Sequence, residues 1–216
     1  MLKFYATPVS PFAAKVHFML EEVSIPFTYH GINLRDDKAR HELSAVNPFG
    51  KVPAIDLNGF KIGESSAILR YLAARFERYD LYPVNLEDRA QVDAVHEFAQ
   101  NHLGRHLLAL GWNLHWAPKF GMPSDLKTVD EARALVLPML ERFDRAIAGR
   151  AYLAGAQLTL ADIGLAPFIA WQKYAQVSLR DYPNLQGWSD RVLARPSWKR
   201  VATDLEKRLS LLLAGK

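Results

Sequence analysis

Hydrophobic residues change their spacing repeatedly over the first eighty positions and then settle into one period. In "LKFYA", 2–6, apolar and polar residues alternate as in a half-buried strand, whereas Phe12, Val16, Met19, Leu20 and Val23 recur at helical spacing across 11–23. "IPFTYHGI" again has strand composition, and 36–45 reads as a short polar helix. "VPAIDL" and "FKIG" flank Asn58-Gly59, a pair suited to the positive φ angles of a tight hairpin turn. Ile68, Leu69 and Leu72 make 65–77 a helix. The predicted order is βαβ, helix, ββα: one small mixed sheet with helices.

Beyond "LYPVNLED" the helical period persists. It predicts one helix over about 87–116, carrying Val92, Val95, Phe98, Leu103 and Leu107. A second covers about 126–148, with Val129, Val136, Met139, Leu140, Phe143 and Ile147. Residues 160–174 are apolar almost all round, as suits a helix buried at a domain centre. "PNLQGWSDRVLARPSW" and "VATDLEKRLSLLLAG" add two more helices. We therefore expect a small α/β domain over 1–80, a linker at 81–86 and an all-helical domain over 87–216.

Composition narrows the function classes. Half the residues are hydrophobic and 23% are charged, as in an ordinary soluble globular chain. The net charge of +4 mildly favours anionic ligands, but it is scattered and comes with no recognition motif, so no nucleic-acid partner is expected. The start lacks a secretory pattern, and Asp162 interrupts the longest apolar run, so neither export nor a membrane partner is predicted. Without cysteine there is no disulfide, thiolate metal site or protein thiol chemistry. A cytoplasmic location is expected. His102 and His106 lie one helical turn apart without a third ligand, so the histidines are read as polar or packing groups and no metal is expected.

Candidate chemistry starts at "ATPVSPFAAKV", where Ser10 directly precedes Pro11 as a strand hands over to a helix. A serine there can cap the helix while proline takes the first helical position. The same hydroxyl lies in the positive end of a helix and could hold a thiolate or phosphate. Ser10-Pro11-Phe12-Ala13 stands where a glutaredoxin-like protein would place Cys-Pro-x-Cys, so disulfide exchange by the protein is excluded. "TLADI" is a capping box, Thr159 with Asp162, read as a folding element.

Four stretches, "ATPVSPFAAKV", "NPFGKVPAI", "GESSAILRYL" and "LTLADIGLAPF", with "PNLQGWSDRVLARPSWKR" as a weaker fifth, give the chain its resemblance to a cytosolic glutathione transferase of the serine type. The first two resemble the plant phi and tau classes. The resemblance implies a thioredoxin-like α/β N-terminal domain plus an all-α C-terminal domain, glutathione as co-substrate, and a homodimer. By the same likeness, Ser10 donates a hydrogen bond to the glutathione sulfur; Thr7 is a nearby alternative. A thiol of ordinary pKa, about 8.5, is only a few per cent thiolate at pH 7, and the thiolate is the nucleophile.

The resemblance also places a cis proline at Pro53, so that the backbone of Val52 pairs with glutathione like an added strand. Ser65 and its N–H would bind the γ-glutamyl carboxylate, and Glu64 the ammonium group. Cations for the glycyl end would be Lys51 and, among Lys38, Arg40 and His41, preferably Lys38. Trp112, His115 and Trp116 recur at i, i+3 and i+4 and so share a helix face. With Phe120, and with Phe12 opposite, they are expected to line an apolar electrophile site. The function implied is conjugation of glutathione to hydrophobic electrophiles. Alternatives are peroxidase or isomerase chemistry on the same site, or a non-catalytic ligand carrier or interaction module.

Overall fold

In the computed structural model, which describes residues 1–214, "LKFYA" forms β1 (Leu2–Ala6), with Leu2, Phe4 and Ala6 buried and Lys3 exposed. After α1 (Pro11–Glu22), β2 (Phe27–Gly31) returns parallel to β1, Leu2 opposite Phe27 and Ala6 opposite Gly31. The polar segment becomes α2 (Asp37–Ser44), capped by the Asp36 carboxylate, which accepts from the Lys38 N–H at 2.9 Å. β3 (Ala54–Leu57) and β4 (Phe60–Gly63) form the expected antiparallel hairpin, with Asn58 at φ 53° and Gly59 at φ 92°. α3 (Ser65–Arg75) closes the motif. The strand order is β2-β1-β3-β4, so β2 and β4 are edges.

Burial of Phe4, Val16, Phe18, Leu20, Ile55, Ile68, Leu69 and Leu72 stabilises this sheet and the α1 and α3 helices, each large side chain contributing about 1.5–3 kcal/mol. A second cluster, Ile32, Leu43, Val46 and Ala54, sits with α2 and takes in Tyr5, Ala39 and Val52.

The chain divides into two compact units, Asp80–Ala194 and the remainder, so the last helix, α11 (Pro196–Ala214), belongs with the sheet. This differs from the single helical domain expected over 87–216. The reason is a set of pairings that periodicity does not contain. The Glu22 carboxylate receives Arg195 and Ser197, Arg200 Nε lies 2.6 Å from Glu21, and Phe18 meets Trp198 edge-on at 5.3 Å. Burial pushes the Glu22 carboxyl up, but the hydrogen bonds from Arg195 and Ser197 and the nearby Arg78 charge outweigh it and hold it below the usual range.

In the second unit, the helix expected over 87–116 is divided. α4 (Leu86–Phe98) and α5 (Arg105–Gly111) alternate with π-helical turns at Ala99–Gly104 and Trp112–Trp116, followed by the short α6 (Ala117–Lys119). At the second turn, buried Asn113 sends its side-chain amide to the Ala109 carbonyl at 2.9 Å, and its own oxygen accepts from the Asp125 N–H at 2.8 Å. A side chain that takes the i−4 carbonyl competes with the regular ladder and widens it.

α7 (Leu126–Ala146), α8 (Leu160–Ala170), α9 (Gln172–Ala175) and α10 (Pro183–Leu193) complete the unit. Leu160 through Ile169 are all buried, as expected for a central helix. Gly164 permits the approach of α4: a Cβ there would meet the His96 ring at 2.5 Å, while His96 Nδ1 lies 3.0 Å from the Leu160 carbonyl. The expected capping box is present, with the Thr159 N–H donating to Asp162 at 2.8 Å. No described helix is long and apolar enough to cross a membrane.

Candidate active site

Two strand-to-helix turns of the sheet unit carry the predicted chemistry. In the first, Ser10 is the N-cap of α1: its Oγ accepts from the Ala13 N–H at 3.2 Å, its carbonyl from Ala14 at 2.9 Å, and its own N–H donates to Thr7 O at 3.2 Å. Pro11 takes the first helical position. The hydroxyl is half-buried, and because it accepts from the helix its proton is left to donate elsewhere. Thr7, by contrast, is 7% exposed.

In the second turn Glu64 caps α3 from φ 62°, ψ 105°, a region that non-glycine residues avoid, and its side chain makes no cap hydrogen bond. Ser65, the first helical residue, is 5% exposed. The α3 N-terminus thus combines a positive dipole end with a hydroxyl and leaves the acidic side chain free of capping. α1 and α3 are fastened together by Lys15, whose Nζ donates to Ser66 Oγ at 3.0 Å. Lys15 is fully buried and also lies 5.7 Å from the centre of the Phe12 ring.

Between these turns runs "NPFGKVP". The Val52–Pro53 bond is cis, the isomer expected from the resemblance. Buried Asn47 shapes this loop: its Nδ2 donates to the Lys51 carbonyl at 2.7 Å, and its Oδ1 accepts from the Phe49 N–H at 3.1 Å. A Cβ on Gly63 would strike Asn47 at 2.5–2.9 Å, so the glycine lets the hairpin close over the asparagine. Lys51 and Lys38 are exposed, the latter in the first turn of α2. Of Lys38's rivals, Arg40 is paired with Asp37, and His41 is exposed in the last turn of the helix.

Sequence reasoning missed Asn47 and Lys15. Lys15 left a signal: it falls three after Phe12 and four before Met19, on the buried side of α1.

The aromatic stretch of the helical unit departs from a simple shared face, because 112–116 is a π turn. Trp116 is only 2% exposed, packed at 4.9 Å from Tyr174 and 5.6 Å from Trp171 between ring centres, and its Nε1 finds no hydrogen-bond partner. It is packed as core, whereas Trp112, His115 and Phe120 are half-buried. Burial, with Lys119 and Lys173 nearby, pushes the His115 pKa down, so that ring is neutral at physiological pH. In the sheet unit Phe12 is half-buried, two residues beyond Ser10.

A mixed four-stranded sheet with capped helices over Ser10, a cis-Pro53 loop and the Ser65 turn, together with an all-α unit, is the architecture of the glutathione transferases, and the chain belongs to that family. Its residues 4–83 match the family model of the glutathione S-transferase N-terminal domain, and 107–196 that of the C-terminal domain. Among curated relatives, glutathione S-transferase F11 of Arabidopsis thaliana is 34% identical, over 78% of this chain and 80% of its own. Glutathione S-transferase 4 of Zea mays is 30% identical over 93% and 92%. A solved glutathione S-transferase-I bound with lactoylglutathione superposes with a TM-score of 0.85 at 29% identity, covering 94% of this chain and 98% of that one.

Proposed function

We propose that the protein is a cytoplasmic, homodimeric glutathione transferase that joins the glutathione thiolate to hydrophobic electrophiles. The observation that carries this reading is the pair of helix N-termini, at Ser10 and Ser65, in one unit and joined through Lys15 and Ser66. Ser10 would donate to the sulfur. One unit of thiol pKa lowering is worth about 1.4 kcal/mol, within reach of a charge-assisted hydrogen bond at a helix N-terminus. The Ser65 hydroxyl and N–H would hold the γ-glutamyl carboxylate, with Glu64 accepting from the ammonium group. Val52, ahead of β3, would offer its backbone to the peptide beside Pro53.

Lys38 and Lys51 would meet the glycyl carboxylate. Both are exposed cations flanking the Asn47 loop, while Arg40 is occupied by Asp37. For the electrophile the reading offers aromatic surfaces in each unit: Phe12 beside Ser10, and Trp112, His115 and Phe120 in the helical unit, with Trp116 as packing behind that surface. Catalysis would then be thiolate stabilisation plus proximity of two bound substrates. The bulk glutathione pool is cytosolic, which supports the location.

The test is a conjugation assay with an aromatic halide and an isothiocyanate, a hydroperoxide as a third substrate, and calorimetric titration with glutathione. Conjugation with saturable glutathione binding is expected. Turnover of the hydroperoxide alone would make the protein a peroxidase, and no turnover with no glutathione heat would leave only a binding module.

A further inference from the structure

The π turn at Trp112–Trp116 deprives one backbone group of its ordinary partner. In a regular helix the Asn113 carbonyl accepts from the N–H four residues on, at Ala117, but here that N–H reaches back to the Trp112 carbonyl. The next residue, Pro118, has no N–H to give. The Ser124 hydroxyl answers instead, donating to the Asn113 carbonyl at 2.7 Å. The Asn113 side chain, 7% exposed, is equally committed: Nδ2 donates to the Ala109 carbonyl at 2.9 Å and Oδ1 accepts from the Asp125 N–H at 2.8 Å. One residue thus ties the turn to both Ser124 and Asp125.

The segment closed off in this way carries Phe120. That residue ends α6 in a Schellman turn, in which Gly121 takes φ 70° and donates to the Pro118 carbonyl at 2.9 Å while the Met122 N–H donates to the Ala117 carbonyl at 2.8 Å. At its far end Asp125 caps α7 by accepting from the Thr128 N–H at 3.1 Å. Residues 121–125 are all exposed, so hydrogen bonds to Asn113, rather than apolar burial, hold them down on the turn. The Phe120 ring centre lies 6.1 Å from that of Trp112 and 6.1 Å from that of Trp116, with the planes at 31° and 27°.

We propose that Asn113 is a positioning residue that gives the enzyme its selectivity for aromatic electrophiles. It holds Phe120 beside Trp112 as one two-ring surface on which a planar aromatic electrophile stacks. The proposal rests on the reading that these aromatics receive the electrophile. Buried Asn113 acts through Phe120 and offers no contact of its own. Ring stacking depends on angle and offset, so a loosened 121–125 segment lets Phe120 turn away and the aromatic contact weakens. An electrophile without a ring loses nothing.

The test is steady-state kinetics of the full chain with 1-chloro-2,4-dinitrobenzene, a planar aromatic halide, and allyl isothiocyanate, which has no ring. Asn113→Ala should raise KM for the halide about fivefold, the size of a lost aromatic pair. The kcat values and the KM values for isothiocyanate and glutathione should stay within about twofold. Ser124→Ala, at an exposed position, should keep the fold and raise the halide KM about threefold. Phe120→Ala should match Asn113→Ala, and the double variant should be no worse than either, because both act through one ring. A halide KM raised by Phe120→Ala but unmoved by Asn113→Ala and Ser124→Ala overturns the proposal and leaves the electrophile surface standing. A halide KM unmoved by Phe120→Ala removes the surface and the proposal with it. A parallel rise of all three KM values makes Asn113 a structural residue only. If Asn113→Ala does not fold, Ser124→Ala decides alone.

Discussion

The starts of α8 and α3 lie at comparable turns and are built in opposite ways. At α8 the Asp162 carboxylate, 0% exposed, accepts from the Thr159 N–H at 2.8 Å and hydroxyl at 3.1 Å, the Leu153 N–H at 2.8 Å and the Trp188 indole at 2.8 Å. Burial holds this carboxyl above its usual range, and those hydrogen bonds pull it only part of the way back. At α3 the acid is Glu64, held at positive φ, with no cap bond. One helix end is closed by its own sequence and has nothing left to offer a ligand. The other keeps its donors and its carboxylate at the cost of backbone strain. The pair separates an acid that serves folding from one that is left uncommitted and that we propose serves recognition. The α1 end stands between them, because Ser10 both accepts from Ala13 and retains a proton to give.

The sharpest break in this comparison is Asp162→Ala. It leaves buried N–H groups unanswered and should cost about 4 kcal/mol in denaturant unfolding. Glutathione affinity of the remaining folded protein should stay unchanged, and a matching loss of affinity would show that the α8 end is not purely structural.

The converse change, Ser65→Ala, should weaken glutathione binding by about 1–3 kcal/mol in calorimetry with melting temperature nearly constant. Unfolding without ligand would instead make Ser65 a structural residue like Thr159.

Ser10→Ala tests the intermediate case. At least a tenfold drop in turnover, about 1.4 kcal/mol, is expected with binding little changed, and ultraviolet titration of the bound thiol should show its pKa rising. An unchanged thiol pKa would reduce Ser10 to a helix cap.

The smallest expected effect is also the most discriminating. Glu64→Gly relieves the positive φ and should stabilise the fold by up to about 1 kcal/mol, while glutathione binding falls. Stability and affinity lost together would mean that Glu64 has a packing role.

Local features were legible because their causes lie within a few residues. Asn58-Gly59 determines a turn through its own φ preferences, and Gly59 N–H finds Asp56 three residues away at 2.8 Å. Thr159 and Asp162 answer each other across one helical turn. Asp36, Asn85 and Asp125 each cap the helix that follows. The candidate site was readable through motifs for Ser10, Pro53 and Ser65. Asn47 was not, since its worth lies in holding the Lys51 carbonyl and meeting Gly63 on a different strand.

The sequence by itself therefore determined the element order of the first eighty residues, the Ser10 and Thr159 caps and the Asn58-Gly59 hairpin, because near neighbours suffice for each. Only the tertiary structure decided that β1 lies between β2 and β3, that α11 returns to the sheet unit through Glu21 and Glu22, and that Asn113 widens the helix beneath Trp116. It likewise decided that the His17 Nδ1 and the Tyr29 hydroxyl are buried without a hydrogen-bond partner. Partners there are separated by as many as 179 residues, as in Glu21 with Arg200. Which of many distant pairings forms depends on closing long loops and satisfying every buried group at once, and no local pattern records that outcome.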